Sequence, residues 1–301
     1  MQKLNFATIL NVNDEETRIK VSPDMITEGS YELQVPGATL FYRVRGKGPL
    51  LLILAGGHGD ADTTDALCDQ LINHYTVLTY DRRGLSRSKF DVSTGLPVIA
   101  THSDDVHRLL AALTVQPTFV FGSSIGALIG LDLVIRHPEQ VGLLVVHEPP
   151  VWELLPGIER DSAIQSLENI VETFQREGSR PAMIKFAKFA AVDQTDREPD
   201  MSFSPQTPQI EANMNFFFTN DTIGVNNFRL NTTALLSTGV CVMPVGGVTS
   251  RESLMHRCTE VLAVKLGKTL IEFPGSHMGW LLRPKEFAAK LLEVLEIKDY
   301  E

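Results

Sequence analysis

From residue 30 onward, continuous apolar runs alternate with amphipathic stretches. The run at 50–54 is entirely aliphatic and ends in glycines, which is typical of a strand buried on both faces of a parallel sheet. Three similar runs occur at 76–81, 118–122 and 142–147. Stretches of helical spacing lie between them, at 61–73, 102–113 and 125–137. This alternation predicts an α/β fold: a mostly parallel sheet covered by helices on both faces.

The first part of the chain has a different pattern. Residues 1–28 are polar and poorly periodic, and we expect them to form a loosely held N-terminal extension. Two strand-like stretches follow at 30–35 and 39–45, joined by a turn at Pro36-Gly37. They predict a hairpin that leads into the sheet.

The alternation stops after Pro149-Pro150 and resumes about 85 residues later. Residues 151–235 are mostly helix-like and rich in aromatic side chains. Strand and helix patterns then return, at 240–245, 252–266, 269–273 and 284–296. The pattern predicts one core domain, 29–150 and 236–301, with a helical lid at 151–235 inserted after the sixth predicted strand.

Composition narrows the classes of function. The 301 residues carry 27 Lys and Arg against 37 Asp and Glu, a net charge of −10. Such a chain repels nucleic-acid phosphates and anionic lipid, and no apolar run approaches the ~20 residues of a membrane span. We therefore expect neither nucleic acid nor membrane as a partner. Three cysteines without metal-ligand spacing, and no secretion-signal pattern, predict a cytoplasmic protein.

The strongest chemical signal is the pentapeptide GSSIG at 122–126, a G-x-S-x-G motif between a predicted strand and a predicted helix. A sharp strand-to-helix turn needs small neighbours and lifts its central side chain out of the sheet. It also places that side chain at a helix N-terminus, where developing negative charge is favoured. Ser124 is therefore the predicted nucleophile.

A serine hydroxyl needs a base, which we expect on a loop after the last strand. His277 lies there, in FPGSHMGW, beside the turn formers Pro274 and Gly275. His58, in a glycine-rich loop, is a candidate for substrate contact, and His147 is interpreted as structural. The remaining histidines are interpreted as surface or packing residues: His74, His102, His107, His137 and His256.

The base in turn needs a carboxylate to orient it and to stabilise its charged form. Thr249 stands after the seventh predicted strand, where an aspartate is often found, and it cannot carry the charge. Glu148 follows the sixth predicted strand and precedes two prolines, so it lies at the sheet edge where His277 is expected. Glu148 is the predicted acid. Glu252 is the alternative, although a helix start already explains an acidic residue there.

Acyl transfer also needs donors for an oxyanion. The expected donors are the backbone N–H of Ile125, which follows the nucleophile, and one from the glycine-rich loop at 54–62. In that loop we assign Gly57, with Gly56 as the alternative register.

These segments together resemble the α/β-hydrolase fold superfamily over roughly residues 30–301. Within it the chain resembles the fungal zearalenone lactonases, through the glycine loop, GSSIG, HEPP at 147–150, the acid-free VGGVTSRES and PGSHMGWLLRPKEFA. Those lactonases use a serine, a histidine and a glutamate after strand six, and the resemblance assigns these roles to Ser124, His277 and Glu148. It implies that the partner is a small hydrophobic ester or lactone.

The resemblance implies no metal and no organic cofactor, and the sequence lacks phosphate-loop, dinucleotide and HExxH motifs. Besides His58, the lid residues Trp152, Phe217 and Phe218 are predicted to contact substrate. A general carboxylesterase and a C–C bond hydrolase use the same triad, so both remain open. A slow-turnover ligand receptor and a homodimeric assembly also remain open.

Overall fold

A nine-stranded sheet organises the part of the chain that the computed structural model describes, residues 27–201 and 207–297. Its main path runs β1-β2-β4-β3-β6-β7-β8-β9, and the short β5 pairs with β2. The strands are β1 (Gly29–Val35), β2 (Ala38–Arg45), β3 (Leu50–Leu54), β4 (Thr76–Tyr80), β5 (Lys89–Phe90), β6 (Thr118–Ser123), β7 (Val141–His147), β8 (Cys241–Gly247) and β9 (Ile271–Phe273).

The strand directions follow the predicted pattern. β1 and β2 form an antiparallel hairpin, and β2 pairs antiparallel with β4. From β4 to β9 every pairing along the path is parallel, so the carboxyl ends of β3, β6, β7 and β8 lie at one edge. The expectation of a mostly parallel sheet between helices is confirmed. The sequence did not predict β5, whose two residues are too few to give a periodic signal.

Helices cover both faces of the sheet and fill the segment between β7 and β8. They are α1 (Asp65–Leu71), α2 (Ile99–Leu113), α3 (Ile125–Arg136), α4 (Gly157–Glu177), α5 (Ser179–Phe189), α6 (Pro208–Phe216), α7 (Thr222–Asn227), α8 (Thr232–Ser237), α9 (Leu254–Lys265), α10 (Gly279–Leu282) and α11 (Pro284–Leu295).

The buried strand β3 divides the core into two layers. Leu50, Leu52 and Leu54 point into an apolar cluster that includes residues of α2, α3 and α9. Leu51 and Ile53 point the other way, into a cluster with α1 and α11. The period of two along β3 explains why its sequence is apolar throughout, since each face meets a helical layer.

Residues 151–235, which we call the insertion, carry α4 to α7 and the start of α8. Part of the insertion packs into the main core, through Ala163, Leu167 and Ala190. Another part forms its own apolar cluster around Ile170, Met214 and Phe218. The assignment of the insertion as a separate lid domain stays a prediction, and the predicted extension at 1–28 falls almost wholly outside the described residues.

Two glycines allow α3 to pack closely against β3 and β6. A Cβ on Gly126 would lie 2.1 Å from the carbonyl oxygen of Leu54, and one on Gly122 would lie 2.6 Å from that of Gly126. Both obstacles are main-chain atoms, which cannot rotate away. The first and last letters of GSSIG are therefore set by backbone packing of α3 against β3 and β6.

Gly126→Ala should consequently lower the free energy of unfolding by at least about 2 kcal/mol, since the new methyl group must push α3 away from β3. Gly224→Ala is the matched control, because it is also helical and a Cβ there meets only ordinary contacts, at 3.8 Å. Helix propensity should make that control neutral or stabilising by up to about 1 kcal/mol. Urea unfolding measures both, and equal effects would contradict the packing argument.

Candidate active site

Three segments bring polar side chains to the carboxyl edge of the sheet. Ser124 follows β6, Glu148 follows β7, and His277 lies in the loop between β9 and α10. The crevice outside the carboxyl ends of parallel strands is the usual ligand site of an open α/β sheet. The structure therefore brings the predicted nucleophile, acid and base to the same region.

The backbone of Ser124 adopts a conformation that side-chain-bearing residues rarely take, with φ 55° and ψ −122°. It is held there from both sides: its N–H donates to the carbonyl of His147 at 2.9 Å, and its own carbonyl accepts from Ala127 N–H at 2.9 Å. Ser124 is the residue directly before α3, so its side chain lies at the positive end of that helix. Strain of this kind persists only where the surrounding structure imposes it.

His277 and Glu148 are directly hydrogen bonded. The Nδ1 of His277 lies 2.8 Å from Oε2 of Glu148, and the two residues are 3% and 0% exposed. A carboxylate can only accept, so Nδ1 carries the proton and donates. In the neutral form of the ring, Nε2 then carries the lone pair that a general base requires.

The second oxygen of Glu148 is also occupied. Oε1 accepts from the Gly247 N–H at 2.8 Å and from the Ser250 hydroxyl, and it lies 3.3 Å from Nδ1 of His256. Burial acts to raise the pKa of Glu148, but hydrogen bonds from His256 and His277 outweigh it and hold that pKa well below the ordinary value of 4.5. Glu148 is therefore a buried carboxylate that stays ionised at neutral pH.

A cavity opens above these residues. The space it encloses is about 480 Å³ when the open mouth is included. Ser124 and His277 both line it, as do His58 and Thr63 on the side of the glycine loop. The remaining larger side chains of its wall are Met183, Phe186, Met278, Trp280 and Leu281. The cavity therefore carries polar groups from the predicted triad and the glycine loop, while its other large side chains are apolar.

The glycine loop approaches Ser124 closely. A Cβ on Gly56 would lie 3.1 Å from the Cβ of Ser124, so any larger residue would crowd the Ser124 side chain. Gly57 has φ 47°, a left-handed conformation that favours glycine, and a Cβ there would meet nothing within 4 Å. The carbonyl of Gly56 accepts from Gly59 N–H at 2.9 Å, which closes the turn. Both Gly56 and Gly57 line the cavity.

Of the four predicted substrate contacts, the structure brings one to the cavity. His58 lines it, and burial together with the charge of Arg82 lowers the pKa of His58 to about 4. The other three are not among the lining residues. Trp152 is buried in the main core with its Nε1 donating to Asn226, while Phe217 and Phe218 lie in the apolar cluster of the insertion.

These three predictions failed because aromatic composition alone does not show which way a side chain points. Phe218 stacks on Phe174 at 5.1 Å between ring centroids and is fully buried. The insertion contributes Met183 and Phe186 of α5 to the cavity instead. Their spacing of three residues on a helix is a signal that could have marked a shared face.

Sequence reasoning also missed the partners of Glu148 other than His277. His256, interpreted there as a surface or packing residue, is buried in the first turn of α9 and faces the carboxylate. Room for its ring comes from Gly246, since a Cβ at that position would lie 2.6 Å from Nδ1. The available signal was positional, because a helix that follows β8 begins at the same sheet edge.

The alternative acid lies elsewhere. Glu252 is exposed, whereas Glu148 is fully buried against His277. Thr249 donates its hydroxyl to Asp196 of the insertion at 2.8 Å.

His147, which the sequence marks as structural, is fully buried. Its Nδ1 lies 3.0 Å from Ser123 Oγ, and burial lowers the pKa of His147 to about 4, so the ring stays neutral.

Among the described residues, His107, His137 and Glu139 form a group whose potential ligand atoms lie within 4.8 Å of one another. The two imidazoles are stacked face to face, 3.6 Å apart and 12° from parallel. Their in-plane lone pairs therefore do not converge on a common point, as ligands of one metal ion must. None of the helices in the described part of the chain is both long and apolar enough to cross a bilayer.

Comparison with known proteins adds to this geometry. Residues 49–221 match the family model of the alpha/beta hydrolase fold. The uncharacterized hydrolase YraK of Bacillus subtilis (strain 168) is 41% identical over 268 residues, which is 88% of this chain and 95% of YraK.

Solved structures agree on the fold. A hydrolase from Pseudomonas aeruginosa PA01 superposes with a TM-score of 0.65 at 23% identity, covering 89% of this chain and 98% of that one. A thermophilic esterase from Thermogutta terrifontis gives a TM-score of 0.65 at 16% identity, covering 90% and 98%. The sheet order, the serine on its strained turn and these matches together show that the chain is a hydrolase of the α/β hydrolase fold family.

Proposed function

We propose that this enzyme hydrolyses an ester or lactone of a hydrophobic substrate, with Ser124 as nucleophile, His277 as base and Glu148 as the orienting acid. The observation that carries the proposal is the 2.8 Å bond from His277 Nδ1 to a buried Glu148, in a cavity that Ser124 and His277 line together. Each of the three side chains has a role that its surroundings support.

The reaction would take two steps. Nε2 of His277 accepts the hydroxyl proton of Ser124 while Oγ bonds to the carbonyl carbon, and the carbonyl oxygen becomes an oxyanion. Collapse of this intermediate breaks the bond to the alkoxy oxygen, which takes the proton from His277 and leaves as an alcohol. A water molecule, deprotonated by His277, then attacks the acyl-enzyme and releases the acid and the Ser124 hydroxyl.

Glu148 would act on His277 and not on the substrate. Its ionised state stabilises the imidazolium that forms in each step, and its bond to Nδ1 fixes the ring orientation. The bonds to Oε1 from Gly247 and Ser250 hold the carboxylate in place during this cycle. A neutral residue at position 148 would leave the imidazolium without a counter-ion.

Two backbone donors would stabilise the oxyanion. Ile125 N–H lies in the first turn of α3, where amide groups are not used within the helix. The other donor is Gly57 or, in the alternative register, Gly56, both at the cavity. Each such donor typically contributes about 3 kcal/mol to the transition state.

The wall of the cavity supports a hydrophobic substrate. Met183, Phe186, Trp280 and Leu281 line it with apolar surface. A zearalenone-type macrolactone has an ester carbonyl within a large apolar ring, so we propose this class of substrate. General carboxylesterase activity, C–C bond hydrolysis of a diketone and ligand binding with slow turnover are the alternatives that the experiments below separate.

Replacing the triad residues should stop catalysis. We expect Ser124→Ala to abolish both ester hydrolysis and covalent labelling by a fluorophosphonate probe, and Glu148→Gln to lower kcat by about 10³- to 10⁴-fold. The exposed Glu252→Gln is the control and should keep near-normal kcat. Near-normal turnover in Glu148→Gln would refute the acid assignment. Ligand binding by a wild-type protein that neither labels nor turns over would favour a receptor.

The charge of Glu148 also predicts a pH dependence of stability. Because its pKa is lowered on folding, it stabilises the fold above the unfolded value of 4.5, and this contribution is lost as pH falls below that value. The difference in unfolding free energy between wild type and Glu148→Gln should therefore shrink from about pH 5 downward, by at most about 1.4 kcal/mol per pH unit. Urea unfolding from pH 6 to pH 3 measures it; a pH-independent difference would contradict the assignment.

The apolar wall predicts the substrate preference. In a hydrolysis screen, macrolactones and bulky aryl esters should give a higher kcat/KM than acetate esters. Phe186→Ala should raise KM for the bulky substrates, because Phe186 lines the cavity. Phe174→Ala is the control, since Phe174 packs on Phe218 inside the insertion. A strong preference for acetate esters would contradict the proposed class.

A further inference from the structure

A buried arginine lies directly behind the glycine loop. Arg82 follows β4, and its side chain is 2% exposed. Its guanidinium donates to the carbonyl of Ala55 at 3.2 Å, to the carbonyl of Gly57, and to Oδ2 of Asp221 at 2.9 Å. One side chain thus joins the glycine loop to the insertion, which contributes Asp221.

These bonds fix the direction of the peptides that carry the oxyanion donors. In a trans peptide the N–H points opposite to the C=O. Because Arg82 holds the carbonyl of Ala55, the N–H of Gly56 points away from the guanidinium. The peptide between Gly56 and Gly57 carries the Gly57 N–H, and along the chain it lies between the two carbonyls that Arg82 holds. The carbonyl of this peptide, that of Gly56, accepts from Gly59 N–H. Either register of the donor therefore depends on Arg82.

Asp221 connects this arrangement to the insertion. It ends a short π-helical turn, Phe217–Asp221, between α6 and α7 of the insertion. Its side chain is fully buried, and Oδ1 lies 3.3 Å from Nε2 of His102 on α2. π-Helical turns cost stability and are frequent at functional sites. Here the turn brings a carboxylate to a guanidinium that would otherwise be buried without a counter-ion.

We propose that the Arg82–Asp221 ion pair is a positioning device for the oxyanion donors, so that their geometry depends on how the insertion is seated on the core. The inference rests on the proposed function, since it assigns to these residues the alignment of donors for an ester-derived oxyanion. Arg82 and Asp221 are positioning residues: they act through the backbone of the glycine loop and not on the substrate.

The chain offers a matched control for the cost of a buried ion pair. Arg83 and Asp105 are side chains of 6% and 1% exposure, joined by a bond of 2.7 Å from Nε to Oδ2. Arg83 also holds a carbonyl, that of Pro36 at 3.2 Å, which belongs to the β1–β2 hairpin and not to the glycine loop. Loss of either pair should destabilise the fold, but only one should affect the oxyanion.

The test compares an aryl ester with its thionoester, whose sulfur is a weaker hydrogen-bond acceptor than oxygen. An enzyme that depends on oxyanion donors should favour the oxygen ester, and the ratio of the two kcat/KM values reports the donors. We expect Asp221→Asn to lower kcat for the ester by about 10- to 100-fold and to shrink that ratio about tenfold. Asp105→Asn should leave the ratio at the wild-type value, whatever it does to the melting temperature.

Arg82→Lys keeps the charge opposite Asp221 but loses the fork that reaches two carbonyls, so it addresses the case in which Asp221→Asn fails to fold. It should fold and shrink the ratio. A wild-type ratio in a folded Arg82→Lys or Asp221→Asn, or an equal fall in Asp105→Asn, would overturn the inference. The proposed function fails separately, if the wild-type enzyme neither hydrolyses the ester nor labels with a fluorophosphonate.

Discussion

The arrangement of the site depends on one buried negative charge. Glu148 is fully buried, yet it remains ionised because every group that faces it is a donor: Gly247 N–H, the Ser250 hydroxyl, and the imidazoles of His256 and His277. A buried carboxylate without such partners would take up a proton instead. The donors come from β8, the turn after it, α9 and the loop after β9, so the charge holds together segments that are distant from Glu148 in sequence.

Two of the buried histidines in this region carry no charge. Burial keeps the pKa values of His147 and His58 near 4, so both are neutral at physiological pH. His277 therefore forms its bond to Glu148 beside uncharged rings, with His147 stacked 6.1 Å from it. Neutral rings at these two positions place no further positive charge in the surroundings of His277.

The sequence was sufficient for the fold and for the position of the main polar groups. Runs such as 50–54 and the strand–helix alternation depend on local periodicity, which survives folding unchanged. The proximity of Ser124, Glu148 and His277 follows from topology, since parallel strands end at one edge.

The lining of the cavity could not be predicted in this way, because it depends on which face of each helix in the insertion turns inward. Phe217 and Phe218 illustrate this point: aromatic side chains are common in ligand sites, but these two lie in an apolar core. His256 was missed because its role follows from the position of α9 after β8, and its local sequence does not separate a histidine that packs from one that faces a carboxylate.

The contact between Gly126 and Leu54 is main chain against main chain. It joins the helix that begins after Ser124 to the strand that ends in the glycine loop, and no side chain lies between them. The spacing of nucleophile and glycine loop is therefore insensitive to the identity of the surrounding core residues. Evolution or design could exchange the aliphatic side chains of α3 and β3 widely, altering melting behaviour while leaving the dimensions of the reaction centre the same. This spacing is set by the backbone, and adaptation to temperature and adaptation to substrate could therefore proceed through separate sets of positions.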